Sequence, residues 1–211
     1  MPLKIFYWPA MGRGAAMIRM CDYAGVEYEW ISSKDEMEKV CSCFGATNDN
    51  FAPPVVVDGE TRVSQQVAAT TYVANKLGFN GGGADPAKVL QFCLDIIDVF
   101  EGGWGKNNEA GPQLKAWVNG DRSKALMSNI ERSIKGPFYF GTEPSAADFL
   151  LLAHLDWRKA MFDQLLSKCQ VDVLSAYPKM LGVAEKLRGH SKPGYNIPGG
   201  LKDEIIDAFN S

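Results

Sequence analysis

The 211-residue chain has only two histidines and five cysteines, and neither type is arranged for metal chemistry. The cysteines lie at 21, 41, 43, 93 and 169. No pair has CxxC spacing, and His154 and His190 complete no plausible zinc site with them. Cys41-Ser42-Cys43 is the one close pair, and it reads as two free thiols in a loop or short helix. No apolar stretch approaches the roughly 20 residues of a membrane span. The 22 Lys+Arg are scattered among 25 Asp+Glu, for a net charge of -3. No basic stripe points to nucleic acid and no polybasic run to anionic lipid. The opening MPLKIFYWPAMGRG lacks the basic region, long apolar core and cleavage site of a secretory signal, so the cytoplasm is the expected location. Also missing is any serine before Ser32 or any cysteine before Cys21.

What remains is ordinary globular composition, 46% hydrophobic and 22% charged, in a chain long enough for one large domain or two small ones. Lys4-Ile5-Phe6-Tyr7-Trp8 reads as a buried first strand ended by Pro9. Arg13 to Tyr23 has one apolar face and predicts a helix stopped at Gly25, followed by a second strand over Val26-Trp30. Residues 32–50 are polar and predict a loop carrying one short helix. Val55-Val56-Val57, Asp58-Gly59 and Thr61-Arg62-Val63 form a hairpin signal, because Asp-Gly suits a tight primed turn. A helix from Gln65 to Lys76 follows, with Gly78 as its stop.

Asn80-Gly81-Gly82-Gly83-Ala84-Asp85-Pro86 is the strongest linker signal. Beyond it only helical periods are found: Val89–Phe100, Gln113–Val118, Ser123–Ile134, Ser145–Leu166, Leu181–Leu187 and a last one from Leu201 to Phe209. The expectation is a small α+β domain over residues 1–79, a linker over 80–86 and an all-helical domain over 87–211. Ser145-Ala-Ala-Asp148 has capping-box spacing. His154, in the apolar run that follows, reads as a satisfied core histidine.

Three segments, in order, resemble one family. Tyr7-Trp8-Pro9 with Gly12-Arg13-Gly14-Ala15-Ala16 and Arg19 is similar to the first strand and helix of the tyrosine-type cytosolic glutathione transferases. Ala52-Pro53-Pro54-Val55-Val56-Val57-Asp58-Gly59, then Gln65-Gln66, is similar to their glutathione-binding hairpin and helix. Gly141 through Ser145-Ala146-Ala147-Asp148 is similar to their capped helix, and a Tyr177-Pro178 helix start also fits. The strand end is pi- or alpha-like and the hairpin closer to sigma. The resemblance implies a thioredoxin-like N-terminal domain followed by an all-α domain, glutathione as co-substrate, and a homodimer.

The chemistry stands on its own terms. A thiol with a pKa near 8.5 is only partly ionised at neutral pH, and the thiolate is the nucleophile. A phenol O–H aimed at sulfur favours the ionised form, and a nearby guanidinium adds fixed positive charge. The resemblance places Tyr7 and Arg13 in these roles. No serine or cysteine competes at the strand end, which argues against thiol–disulfide chemistry there.

By the same resemblance a cis-proline at the start of the hairpin presents the preceding residue to glutathione. Either proline suits; Pro53 is favoured, with Ala52 presenting its backbone. Gln65-Gln66 departs from the usual Gln-Ser or Gln-Thr, with the nearest hydroxyl two residues earlier at Ser64. The helix N-terminus still offers N–H groups for the γ-glutamyl carboxylate. Asp98, preferred over Asp95, is the aspartate expected to reach across a dimer to glutathione, though both suit solvated helix positions. Trp30, Lys34 and Lys39 are candidates for the glycine carboxylate. Trp8, Met11, Trp104 and Met161 are the expected walls of the electrophile pocket. Conjugation to small hydrophobic electrophiles is the expected reaction. A sigma-type isomerase, and a pigment or lipid carrier of the same fold, are the alternatives.

Overall fold

The first strand owes its place to alternation: Leu3 and Ile5 are buried on one face, and Phe6 faces a smaller cluster with Met37, Val40, Cys41 and Val55 on the other. In the computed structural model, which describes residues 2–101, 110–192, 194–197 and 199–210, this strand is β1 (Leu3–Phe6). It pairs in parallel with β2 (Tyr28–Ile31) and antiparallel with β3 (Val55–Asp58), which turns through Gly59 into β4 (Thr61–Ser64). The sheet order is β2-β1-β3-β4, with β1 in the interior.

Helix α1 (Ala15–Ala24) starts two residues later than expected, because residues 12–14 wrap the Tyr7 ring. It ends at Gly25, in the left-handed region at φ 64°, and Val26 N–H then closes back on the Cys21 carbonyl at 3.0 Å. That closure consumes Val26, so β2 begins at Tyr28 rather than Val26. The polar stretch forms α2 (Lys34–Glu38) and a single 3-10 turn at Ser42–Phe44. Helix α3 (Gln66–Leu77) follows the hairpin and packs on α1.

Beyond α3 the described residues form α4 (Pro86–Glu101), α5 (Ala110–Asn119), α6 (Asp121–Ser133), α7 (Ala146–Cys169), α8 (Pro178–Arg188) and α9 (Asp203–Asn210). Helix α7 lies at the centre, against α1, α4, α8 and α9. The capping box at its start is formed: Asp148 Oδ2 accepts from Ser145 N and Oγ, at 2.8 and 2.7 Å, and Oδ1 accepts from Tyr139 N at 2.8 Å. Complete burial nonetheless outweighs these donors and lifts the Asp148 carboxyl to about 6.

A buried charge cluster ties the sheet half to the helical half. Asp156 on α7 takes Arg19 of α1 at 2.6 Å through one oxygen and Arg188 of α8 at 2.6 Å through the other. Past α8 the chain runs back over α1 and β2 as a strap. Asp22 holds it through the Tyr195 hydroxyl and the Lys192 N–H, and Tyr28 and Tyr195 share a hydroxyl contact at 2.8 Å. The strap then returns to α7, where the Gln164 side chain grips both polar groups of the Leu201 backbone.

Candidate active site

Tyr7 sits one residue beyond β1. Its backbone N–H donates to the Ile31 carbonyl at 3.1 Å, and its own carbonyl accepts the indole N–H of Trp30 at 3.0 Å. The phenol is 8% exposed. Two glycines make room for it: a Cβ on Gly12 would lie 2.7 Å from the hydroxyl, and one on Gly14 would lie 2.7 Å from the ring. Between them the Arg13 N–H donates to the Tyr7 oxygen at 2.9 Å. That oxygen is thereby fixed as an acceptor for the backbone, and its own O–H stays free to donate outward.

Burial raises the Tyr7 pKa; the Arg13 N–H and the Arg13 charge oppose the rise, and Glu101 adds to it. The phenol therefore keeps its proton at neutral pH. The Arg13 side chain, 52% exposed, turns to α4 and grips Glu101 with Nε at 3.3 Å and Nη2 at 2.5 Å. This is a forked charge-assisted pair.

The start of α3 borders the same region. Gln65 is a non-glycine residue at φ 70°, ψ 130°, a conformation that costs of order 1–3 kcal/mol and is common at ligand sites. It leaves the first N–H groups of α3 without helical partners. The Gln66 side chain is not directed to solvent: it is 7% exposed, and its carboxamide meets Nε2 of His154 at 3.1 Å. His154 also meets Arg158 Nη1 through Nδ1 at 3.2 Å and stacks on Phe100. Arginine only donates, so Nδ1 is an acceptor and the ring hydrogen lies on Nε2, a tautomer that requires the Gln66 carboxamide to turn its oxygen, otherwise without a partner, to the ring. Burial, and then the charges of Arg158 and Arg13, hold His154 well below its ordinary pKa. It is a neutral core histidine with its partners in place.

Beside Arg13 and Glu101 lies a cavity of about 380 Å³, walled by Trp157, Met161 and Leu201. Met161, expected as a pocket wall, lines it. Met11 does not: it is 1% exposed and packs in the core beneath the sheet, because its side chain points inward from the turn after β1. Trp8 is partly exposed, edge-on to Phe44 at 6.0 Å. Trp104 lies outside the described residues.

Other expectations also change. The cis peptide bond joins Pro53 to Pro54, so Pro53 rather than Ala52 is the residue before the cis-proline. Proline has no N–H, so Pro53 offers only its carbonyl. The indole N–H of Trp30 is occupied by the Tyr7 carbonyl and is not free for a carboxylate. Lys39 pairs with Glu36 and Lys34 with Glu38 on the surface. Asp98 is exposed on α4 and borders a groove with Gln113, Trp117 and Arg122, whereas Asp95 accepts from Asn129. Glu101 and Asn196 carried no motif; each reaches the site across a long sequence separation, so no local spacing marks them. Among the described residues no three metal-ligating side chains are grouped.

No protein-family model matches the chain, and no curated protein is recognisably similar to it. Solved structures are. A pi-class glutathione S-transferase of Onchocerca volvulus aligns over 90% of this chain and 89% of its own, with a TM-score of 0.66 and 17% identity. A prostaglandin synthase D of Nilaparvata lugens aligns over 90% and 93%, with a TM-score of 0.62 and 16% identity. A rat hPGDS complexed with a quinoline aligns over 89% and 91%, with a TM-score of 0.64 and 16% identity. At these identities the likeness is one of fold: a thioredoxin-like N-terminal domain followed by an all-helical C-terminal domain.

Proposed function

We propose that the chain is a glutathione transferase in which Tyr7 stabilises the glutathione thiolate for attack on small hydrophobic electrophiles. The observation that carries this reading is the Tyr7 hydroxyl: it retains its proton at a strand end, and its oxygen is held by the N–H of Arg13, a residue that lines a cavity. A donated O–H favours sulfur as the anion and raises the thiolate fraction. With a chlorinated nitrobenzene, the S–C bond forms as the C–Cl bond breaks, and the thiol proton passes to water.

The tripeptide is read as lying along the hairpin start. Its cysteine faces Pro53, and its γ-glutamyl carboxylate faces the unpaired N–H groups beside Gln65. With the Gln66 side chain committed to His154, backbone donors carry that contact. Arg13, held by Glu101, supplies positive potential near the sulfur. The cavity beside Trp157 and Met161 takes the electrophile. Self-association through α4 is part of the reading, supported by the exposed Leu90 and Leu94 one turn apart.

One of the similar structures is described as a prostaglandin synthase D. A glutathione-dependent isomerase using the same thiolate is therefore the second reading, and both belong to the cytoplasm.

Retention on glutathione resin and conjugation of 1-chloro-2,4-dinitrobenzene test the proposal. The expected outcome is activity that falls about 100-fold in Tyr7→Phe, the scale of a lost transition-state donor. A chain that ignores glutathione yet binds an apolar dye tightly is a carrier, and the proposal falls.

A further inference from the structure

We propose that Asn196 is a positioning residue for Tyr7: the C-terminal strap clamps the turn at Pro9–Met11, and through that turn it holds the Arg13 N–H on the phenol oxygen. This inference rests on the reading of Tyr7 as the thiol-activating group.

The turn between β1 and α1 has little support of its own. Over Trp8–Gly12 its internal hydrogen bonds span only two residues, from Ala10 N–H to the Trp8 carbonyl at 2.7 Å and from Gly12 N–H to the Ala10 carbonyl at 3.0 Å, before Gly12 accepts the Ala15 N–H at 3.0 Å. Such three-residue closures are bent and confer little rigidity. The outer side of the turn is held instead by one residue 187 positions away. Asn196 accepts the Met11 N–H on its backbone carbonyl at 2.7 Å and donates its side-chain Nδ2–H to the Pro9 carbonyl at 3.0 Å. This two-point grip fixes position and orientation together.

The grip is anchored on both sides. Before it, Ser191 takes Arg19, while Tyr195 hydrogen-bonds Asp22 and packs edge-on against Trp30 at 6.0 Å. Trp30 in turn holds the Tyr7 carbonyl. After it, Leu201 is held by Gln164 at 2.5 and 3.1 Å. Asn196 is thus a fixed point against which the turn rests. The turn delivers Arg13 N–H to a phenol confined between Gly12 and Gly14. A small rotation of the turn changes the height of the Tyr7 hydroxyl, and with it the strength of the bond it offers to sulfur.

The test compares Asn196→Asp with Asn196→Gln. The first is isosteric but sets a carboxylate against the Pro9 carbonyl; the second keeps a donor. Amide hydrogen exchange at Met11 and Arg13 is read by NMR on the ligand-free chain. The ionisation of bound glutathione is read from thiolate absorbance against pH. In N196D both amides are expected to exchange about tenfold faster. The bound thiol pKa should rise by about one unit, a tenfold loss of thiolate below it. KM for glutathione should stay within about twofold while kcat falls. N196Q should recover part of each effect. Unchanged exchange in N196D, or an unchanged thiol pKa despite faster exchange, overturns the positioning role even in an active enzyme. A native chain that binds no glutathione, or binds it without ionising the thiol, overturns the proposed function and this role with it.

Discussion

The backbone N–H of Arg13 holds the hydroxyl oxygen of Tyr7 at 2.9 Å, while the Arg13 guanidinium turns the other way, to Glu101. One residue thus acts on the phenol twice: directly through its peptide, and at a distance through a charge whose position α4 determines.

Removing the Glu101 charge should be felt at Tyr7. Glu101 raises the phenol pKa and Arg13 lowers it. Glu101→Gln is therefore expected to lower the Tyr7 pKa, and Arg13→Leu to raise it. The difference in phenolate absorbance against Tyr7→Phe across alkaline pH reads both. A rise in E101Q contradicts the assignment.

Gly14→Ala sets a methyl 2.7 Å from the Tyr7 ring, closer than real Cβ contacts come. The ring is buried and cannot swing aside, so a loss of about 1–3 kcal/mol is expected from overpacking. Gly12→Ala meets the hydroxyl instead. It should cost activity more than stability, and denaturant melts alongside conjugation rates separate the two.

Asp156 is buried between Arg19 and Arg188. Asp156→Asn removes the carboxylate that Arg19 and Arg188 share and leaves buried Arg19 only the more distant charge of Asp22. A loss of about 3–5 kcal/mol is expected, a fall in Tm on the order of 10 °C for a chain of this size. A change under one degree argues that the cluster is dispensable.

His154 gives stability a pH dependence with a defined sign. Its folded pKa lies well below 6.5, so the unfolded chain binds the proton more readily. The stability associated with neutral His154 is present above about 6.5 and is lost as pH falls below that value. Asp148, whose carboxyl is lifted to about 6, contributes with the opposite sign in both chains, so the expected outcome is a difference: native Tm falls on acidification relative to that of His154→Gln. Parallel slopes from pH 7 to 5 count against it.

The elements with periodic apolar faces were legible in the sequence. β1, the Asp58-Gly59 hairpin and the capped start of α7 follow from side-chain alternation, turn chemistry and capping spacing, which are local. Tyr7 and the start of α3 could be placed for the same reason. Local pattern fails where partners are distant. Nothing near Gln66 shows that its side chain is taken by His154, 88 residues on. Nothing near Met11 shows whether it faces a pocket or the core. The identity of the cis bond in Pro53-Pro54 rests on how β3 joins the sheet, which two adjacent prolines leave open. Glu101 and Asn196 are ordinary polar residues by any local measure, and only the fold brings them to Tyr7.

The contact between Pro9 and Asn196 also orders events in time. A chain emerging from the ribosome completes its N-terminal elements first, yet the turn beyond β1 receives its outer support only from residues near the other end. Helix α1 waits likewise for α7, on which it packs and whose Asp156 pairs with its Arg19. On the proposed reading, the grip on the phenol is complete only once the segment that carries Asn196 has been made and docked.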